Sequence, residues 1–332
     1  MRRGSNELQF FSTSQFRGGY AIETYSVRIQ GRDMKGPRIS AAVLKDLIEI
    51  LVDGSRGAVR LRVEGRSSAP GALPSWLAKA ADFDLVKVDE GSTVLRLEAP
   101  SLTQAAPERF GQGALPFADV EAFGSRSCLD LLSESLREAL SGRTESDLFD
   151  TPLLATFEQF SRLLYDGTEQ IEIRGGTGPE ISLNQASFAE VRDLIGQTPA
   201  PQQVRLAGRL DMIRHSDSRF TLVLESGDRI PGTASLEDPQ NLASLWGQPA
   251  LVEGTAVFRP SGSILRVDAD YIEAAQGDVS IWSRPPQPVF SPLQSHTLRQ
   301  PQGPRSGLAA VIGKWPGEET EDEFLTAVAE LS

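Results

Sequence analysis

The sequence predicts an α+β protein with an N-terminal α+β domain, a helical and hairpin middle, an OB-like five-stranded β-barrel, and an extended C-terminal tail holding a short amphipathic helix. Three observations predict it. Between 20 and 200, period-two alternation and helix-period stripes take turns along the chain. Residues 202–275 hold five alternating segments, with a helical one between the third and fourth. From 276 the periodicity gives way to proline, glutamine and serine, and a last apolar stripe returns near the C-terminus. With 332 residues, against roughly 100–200 for one domain, the chain calls for more than one core.

The elements follow in order. Residues 1–19 lack a usable period and form a loose leader. The N-terminal domain spans 20–100. A strand covers 21–30, and Ser40 opens a helix carrying Val43, Leu47 and Leu51 that stops at Gly54-Ser55-Arg56-Gly57. Alternation over 58–65 predicts a second strand, 74–83 a short helix, and 84–97 a hairpin turning at Gly91. The middle region, 101–200, begins with proline and glycine and continues with helices at 129–140 and 153–164, the latter started by Thr151 and Pro152. A hairpin at 169–183 and a helix at 188–195 complete it. Gly175-Gly176-Thr177-Gly178 has the composition of a phosphate loop, but a strand follows it and no lysine does, so it reads as the hairpin turn.

The barrel strands are 203–213 with a bend at Gly208, 220–224, 229–234, 248–258 and 264–272. Asp238 and Asn241 cap a helix through Leu242, Leu245 and Trp246. Nucleic-acid binding would need aromatic residues on strands two and three beside a basic groove. Only Phe220 is aromatic there, and seven arginines face ten acids across 202–275, so the barrel reads as a scaffold and nucleic acid as the alternative. The whole chain points the same way, since 33 Lys+Arg against 45 Asp+Glu give a net charge of −12.

No catalytic residues, cofactor or metal site emerge from the pattern, and the protein reads as a non-enzyme. His215 and His296 fall short of a zinc set, and His215 beside Asp217 reads as a polar turn. Cys128, at helical spacing among leucines, reads as a core filler. The polar start Met1-Arg2-Arg3-Gly4 and the lack of an 18-residue apolar run predict a cytoplasmic protein with no membrane partner. A homo-oligomer is compatible with the sequence.

The tail holds the functional signal. A proline-rich linker, 276–306, leads to 307–332, where one lysine faces six acids for a net −5. Thr320 and Glu323 form a capping box, and Phe324, Leu325, Val328 and Leu331 make one apolar stripe. A helix this short is marginal alone, so the stripe needs a surface. Trp315 beside Pro316 supplies an anchor of the kind that dominates interface energies. The run Ile312-Gly313-Lys314-Trp315-Pro316-Gly317-Glu318-Glu319, with the acidic stripe after it, resembles the C-terminal tails of bacterial antitoxins paired with PIN-domain ribonuclease toxins. That resemblance implies a toxin–antitoxin system in which the tail wraps the toxin and inhibits it. It implies partner contacts from Trp315, Pro316, Phe324, Leu325, Val328 and Leu331, with Lys314 approaching the partner's metal-binding carboxylates. The body departs from common antitoxins, which are short and begin with a DNA-binding fold.

Overall fold

The structure, a computed structural model, describes residues 15–17, 20–31, 39–89, 93–111, 120–164, 168–176, 178–214, 219–234 and 244–288. Within the stretch expected to be a loose leader, β1 (Gln15–Arg17) pairs antiparallel with the start of β2 (Tyr20–Gly31).

The largest departure from the sequence reading is α1 (Ala41–Glu64), which continues through Gly54-Ser55-Arg56-Gly57 and takes in the segment expected to be a strand. The cause is packing. Gly54, Ser55, Gly57 and Ala58 are buried, and a Cβ on Gly54 would lie 2.7 Å from Leu132 Cδ1. One on Gly57 would lie 2.9 Å from Leu153 Cδ1. Small residues let neighbouring side chains approach the helix closely, which offsets the roughly 1 kcal/mol each glycine costs in a helix. Val59 and Val63 alternate with polar residues, yet they are also four apart and so share a helical face. The helix ends at Gly65, whose φ of 78° is left-handed and whose N–H bonds to Leu61 O.

Next come α2 (Ser75–Ala80), β3 (Asp84–Asp89) and β4 (Thr93–Pro100), then three helical turns, α3 (Leu102–Ala105), α4 (Pro107–Phe110) and α5 (Val120–Gly124). In α6 (Cys128–Leu140) Ser127 and Asp130 form a capping box. The helix expected at 153–164 is two, α7 (Thr151–Glu158) capped by Asp150, and α8 (Phe160–Leu163). The hairpin of β5 (Thr168–Gly175) and β6 (Ile181–Leu183) and then α9 (Phe188–Gln197) match expectation.

The sheet runs β3-β4-β2-β5-β6, every pair antiparallel. Val27 of β2 faces Leu95 on one side and Ile173 on the other, so strands from 20–100 and from 101–200 lie in one sheet. They also share one core, where Tyr25, Leu47, Leu132, Phe157 and Phe188 are buried together. A fully buried side chain of this size stabilises by about 1.5–3 kcal/mol. This body is followed by a closed five-stranded barrel.

The barrel strands are β7 (Gln202–Arg214), β8 (Arg219–Val223), β9 (Arg229–Ala234), β10 (Pro249–Phe258) and β11 (Ile264–Ala274). They run β10-β11-β9-β8-β7 and close by pairing β7 with β10; only β9 and β11 are parallel. Leu206, Leu210, Phe220, Val252, Phe258 and Val267 fill the interior, so Phe220 belongs to the core as expected. At the irregularity between Glu253 and Gly254 the backbones come so close that a Cβ on Gly254 would sit 2.2 Å from Asp268 O. Asp238, Asn241 and Leu242 of the expected helix lie outside the described residues. Leu245 is buried in the barrel, while Trp246 is exposed and donates its Nε1–H to Asp211 O at 3.0 Å.

The expected linker begins differently. Ser280–Trp282 forms a 3₁₀ turn, the Arg205 guanidinium stacks over Trp282 at 5.1 Å, and Ser283 donates to Glu225 at 3.0 Å. Residues 276–288 thus lie against the barrel, and the rest of the linker is outside the described residues.

Candidate functional site

Lys314, Trp315, Pro316, Phe324, Leu325, Val328 and Leu331 lie outside the described residues, as do His215, Asp217 and His296. Cys128 is fully buried, and burial pushes its thiol up to about 12, as suits a core filler. Among the described residues no three or more His, Cys, Asp or Glu are grouped to hold a metal, and no helix is long and apolar enough to cross a membrane.

The body does gather one cluster of chemistry-bearing groups that the sequence reading missed. β2 places Glu23 and Tyr25 on alternate positions, and the start of α6 brings Arg126, Ser127 and Asp130 to them. The Tyr25 hydroxyl donates to Glu23 Oε2 at 2.6 Å and lies 2.7 Å from Ser127 Oγ. Asp130 Oδ2 accepts from the Ser127 backbone N–H at 3.1 Å, and Ser127 Oγ accepts from the Asp130 N–H at 3.2 Å. Desolvation, and then the neighbouring Asp130 carboxyl, raise Glu23 from its usual 4.5 to about 7, while Tyr25 and Arg126 pull it down. Burial drives the Tyr25 hydroxyl far above its usual range, so it stays a neutral donor.

Arg126 continues the network. It shares Glu134 Oε2 with Arg62, at 2.9 and 2.8 Å. The turn after β5 closes the cluster from above: Gly176, at φ 66°, has its Cα so near that a Cβ would reach 2.0 Å from Asp130 Oδ1. A glycine read in the sequence only as part of a hairpin turn therefore also makes room for an acid. The spacing Ser127-x-x-Asp130 was legible as a helix cap, but nothing local ties it to Glu23.

The second polar concentration joins body and barrel. Arg219 of β8 donates to Arg62 O and Val63 O at 3.4 and 3.3 Å, near the C-terminal end of α1, where the helix dipole is negative. Arg266 of β11 donates to Asp150 Oδ2 at 3.2 Å and to Asp268 Oδ1 at 2.9 Å. Asp150, whose side chain is wholly buried, also caps α7 through Leu153 N and accepts from Ser67 N–H and from the Ser67 hydroxyl. In the β10–β11 turn, Arg259 bonds Asp147 at 2.8 Å, Ser263 bonds Glu145 at 2.8 Å, and Ser261 N–H reaches Thr144 O. A cavity of about 200 Å³ remains at this seam, lined in part by Gly65, Arg219, Thr233 and Arg266. A wider cleft of about 570 Å³ lies between β7, β8 and 275–283, with Arg209, Glu225 and Asp278 among apolar walls.

Compared with family models, curated proteins and solved structures, the chain finds no match.

Proposed function

We propose that the protein is an antitoxin-like, non-enzymatic inhibitor that binds and neutralises a PIN-type ribonuclease toxin in the cytoplasm through 307–332. The observation that carries this is the tail itself: a Trp315-Pro316 anchor, an acidic first turn, and Phe324, Leu325, Val328 and Leu331 at helical spacing. The body and barrel serve as its scaffold. The strand order, with a lone parallel pair between the third and fifth strands, supports an OB-type barrel. Barrels of that type bind oligonucleotides on strands two and three and the loop between strands four and five. Here Arg219, Arg259 and Ser263 from those parts are engaged with the body, which favours the scaffold role over nucleic-acid binding.

The test is co-expression of the adjacent gene product with the full chain or with a chain ending at Ser306. Growth rescued by the full chain alone is the expected result; equal rescue by both sinks the proposal. Trp315→Ala is expected to weaken binding by about 2 kcal/mol, roughly 30-fold in Kd by titration calorimetry.

A further inference from the structure

The free edge of the body's sheet carries an inference that does not depend on the tail. Among the described residues β3 and β6 each pair on one side only, so the sheet ends in two edges. The β6 edge is blunted: it is three residues long, and its Ile181 and Leu183 are buried. The β3 edge is six residues long, and 84–87 are all exposed. Leu85 and Val86 stand 41% and 46% exposed between Phe83 and Val88, which pack on the core. An edge that bares both backbone and apolar side chains is a template for another strand.

The residues along it select the strand that fits. Leu85 faces Leu97 and Lys87 faces Arg96, so Val86 is the extra residue of a bulge. Charge lies beside it in two blocks. Asp84 stands opposite Glu98, and neither has a charged partner among the described residues. Lys87 and Arg96 share a single acid, Asp89, at 3.1 and 2.7 Å. A second β3, antiparallel and with the two-fold axis between Leu85 and Val86, sets Asp84 against Lys87 at both ends. The bulge residues then meet each other, and Phe83 meets Val88. Acid lies on base and apolar on apolar, the pairing that stabilises adjacent strands. Moving the axis one residue on would set Asp84 against Asp89.

We propose that β3 is a homodimerisation edge, where two copies of the chain join β3 to β3 antiparallel and continue the sheet of one body into the next. One strand edge buries a small area, so the dimer is of the transient kind, with a Kd in the micromolar range.

The test is sedimentation velocity of the full chain across that range, beside Asp84→Lys, Lys87→Asp and the double swap. Each single swap sets like charges together at both ends of the strand pair and is expected to weaken dimerisation about tenfold or more. The double swap restores opposite charges and should recover most of the wild-type affinity. A wild type that stays monomeric throughout, single swaps that dimerise as well as wild type, or a double swap no better than the singles each overturns the proposal. Without any variant, amide hydrogen exchange across 84–87 should slow as the wild-type concentration rises; exchange there that is independent of concentration overturns it.

Discussion

The body and the barrel bury their interiors in one way and meet each other in another. Both interiors are apolar and use glycine to admit a neighbour: Gly54 of α1 admits the end of the Leu132 side chain, and Gly254 of β10 admits the backbone of β11. The seam between them is built from charges, with Asp150 buried against Arg266 and Arg259 bonded to Asp147. An interior tolerates change where its neighbour can yield, whereas a buried charge tolerates only its counter-charge.

Substitutions at three positions rank these cases. Asp150→Ala is expected to cost most, about 3–5 kcal/mol in urea unfolding, because it strips the α7 cap and leaves Arg266 with one acid in a buried setting. Asp150→Asn, which keeps the cap, should cost less. Gly254→Ala comes second at about 3 kcal/mol, since the new methyl meets the Asp268 carbonyl and a backbone cannot rotate away. Gly54→Ala should stay within about 1 kcal/mol of wild type. The contact there is a rotatable Leu132 methyl, and alanine recovers about 1 kcal/mol of helix propensity. If Gly54→Ala proves as costly as Gly254→Ala, the distinction between yielding and rigid neighbours fails. A seam variant milder than both would break the ranking at its other end.

The same contrast separates what was legible in the sequence from what was not. The barrel strands were readable because each has one wet face and one dry one, which period-two alternation records directly. The glycine-rich stretch of α1 was misread because its local pattern is that of a helix stop, while the reason it continues lies in Leu132 and Leu153. The sheet order was hidden for a related reason, since Val27 meets Ile173 across a long stretch of intervening chain. In the Glu23 cluster, each residue has an ordinary local role as a strand or cap position. Only the fold brings Tyr25 within hydrogen-bonding distance of Ser127. The tail residues are the reverse case: their pattern is plain in the sequence, and they fall outside the described residues.

Asp150 also sets an order of events during synthesis. Its cation, Arg266, belongs to the last barrel strand, so a ribosome that has released only the body has made a chain in which Asp150 has not yet met Arg266. The seam between body and barrel is therefore not complete until β11 has emerged. A gene fragment cut between them should yield a protein that chaperones and proteases treat as incomplete.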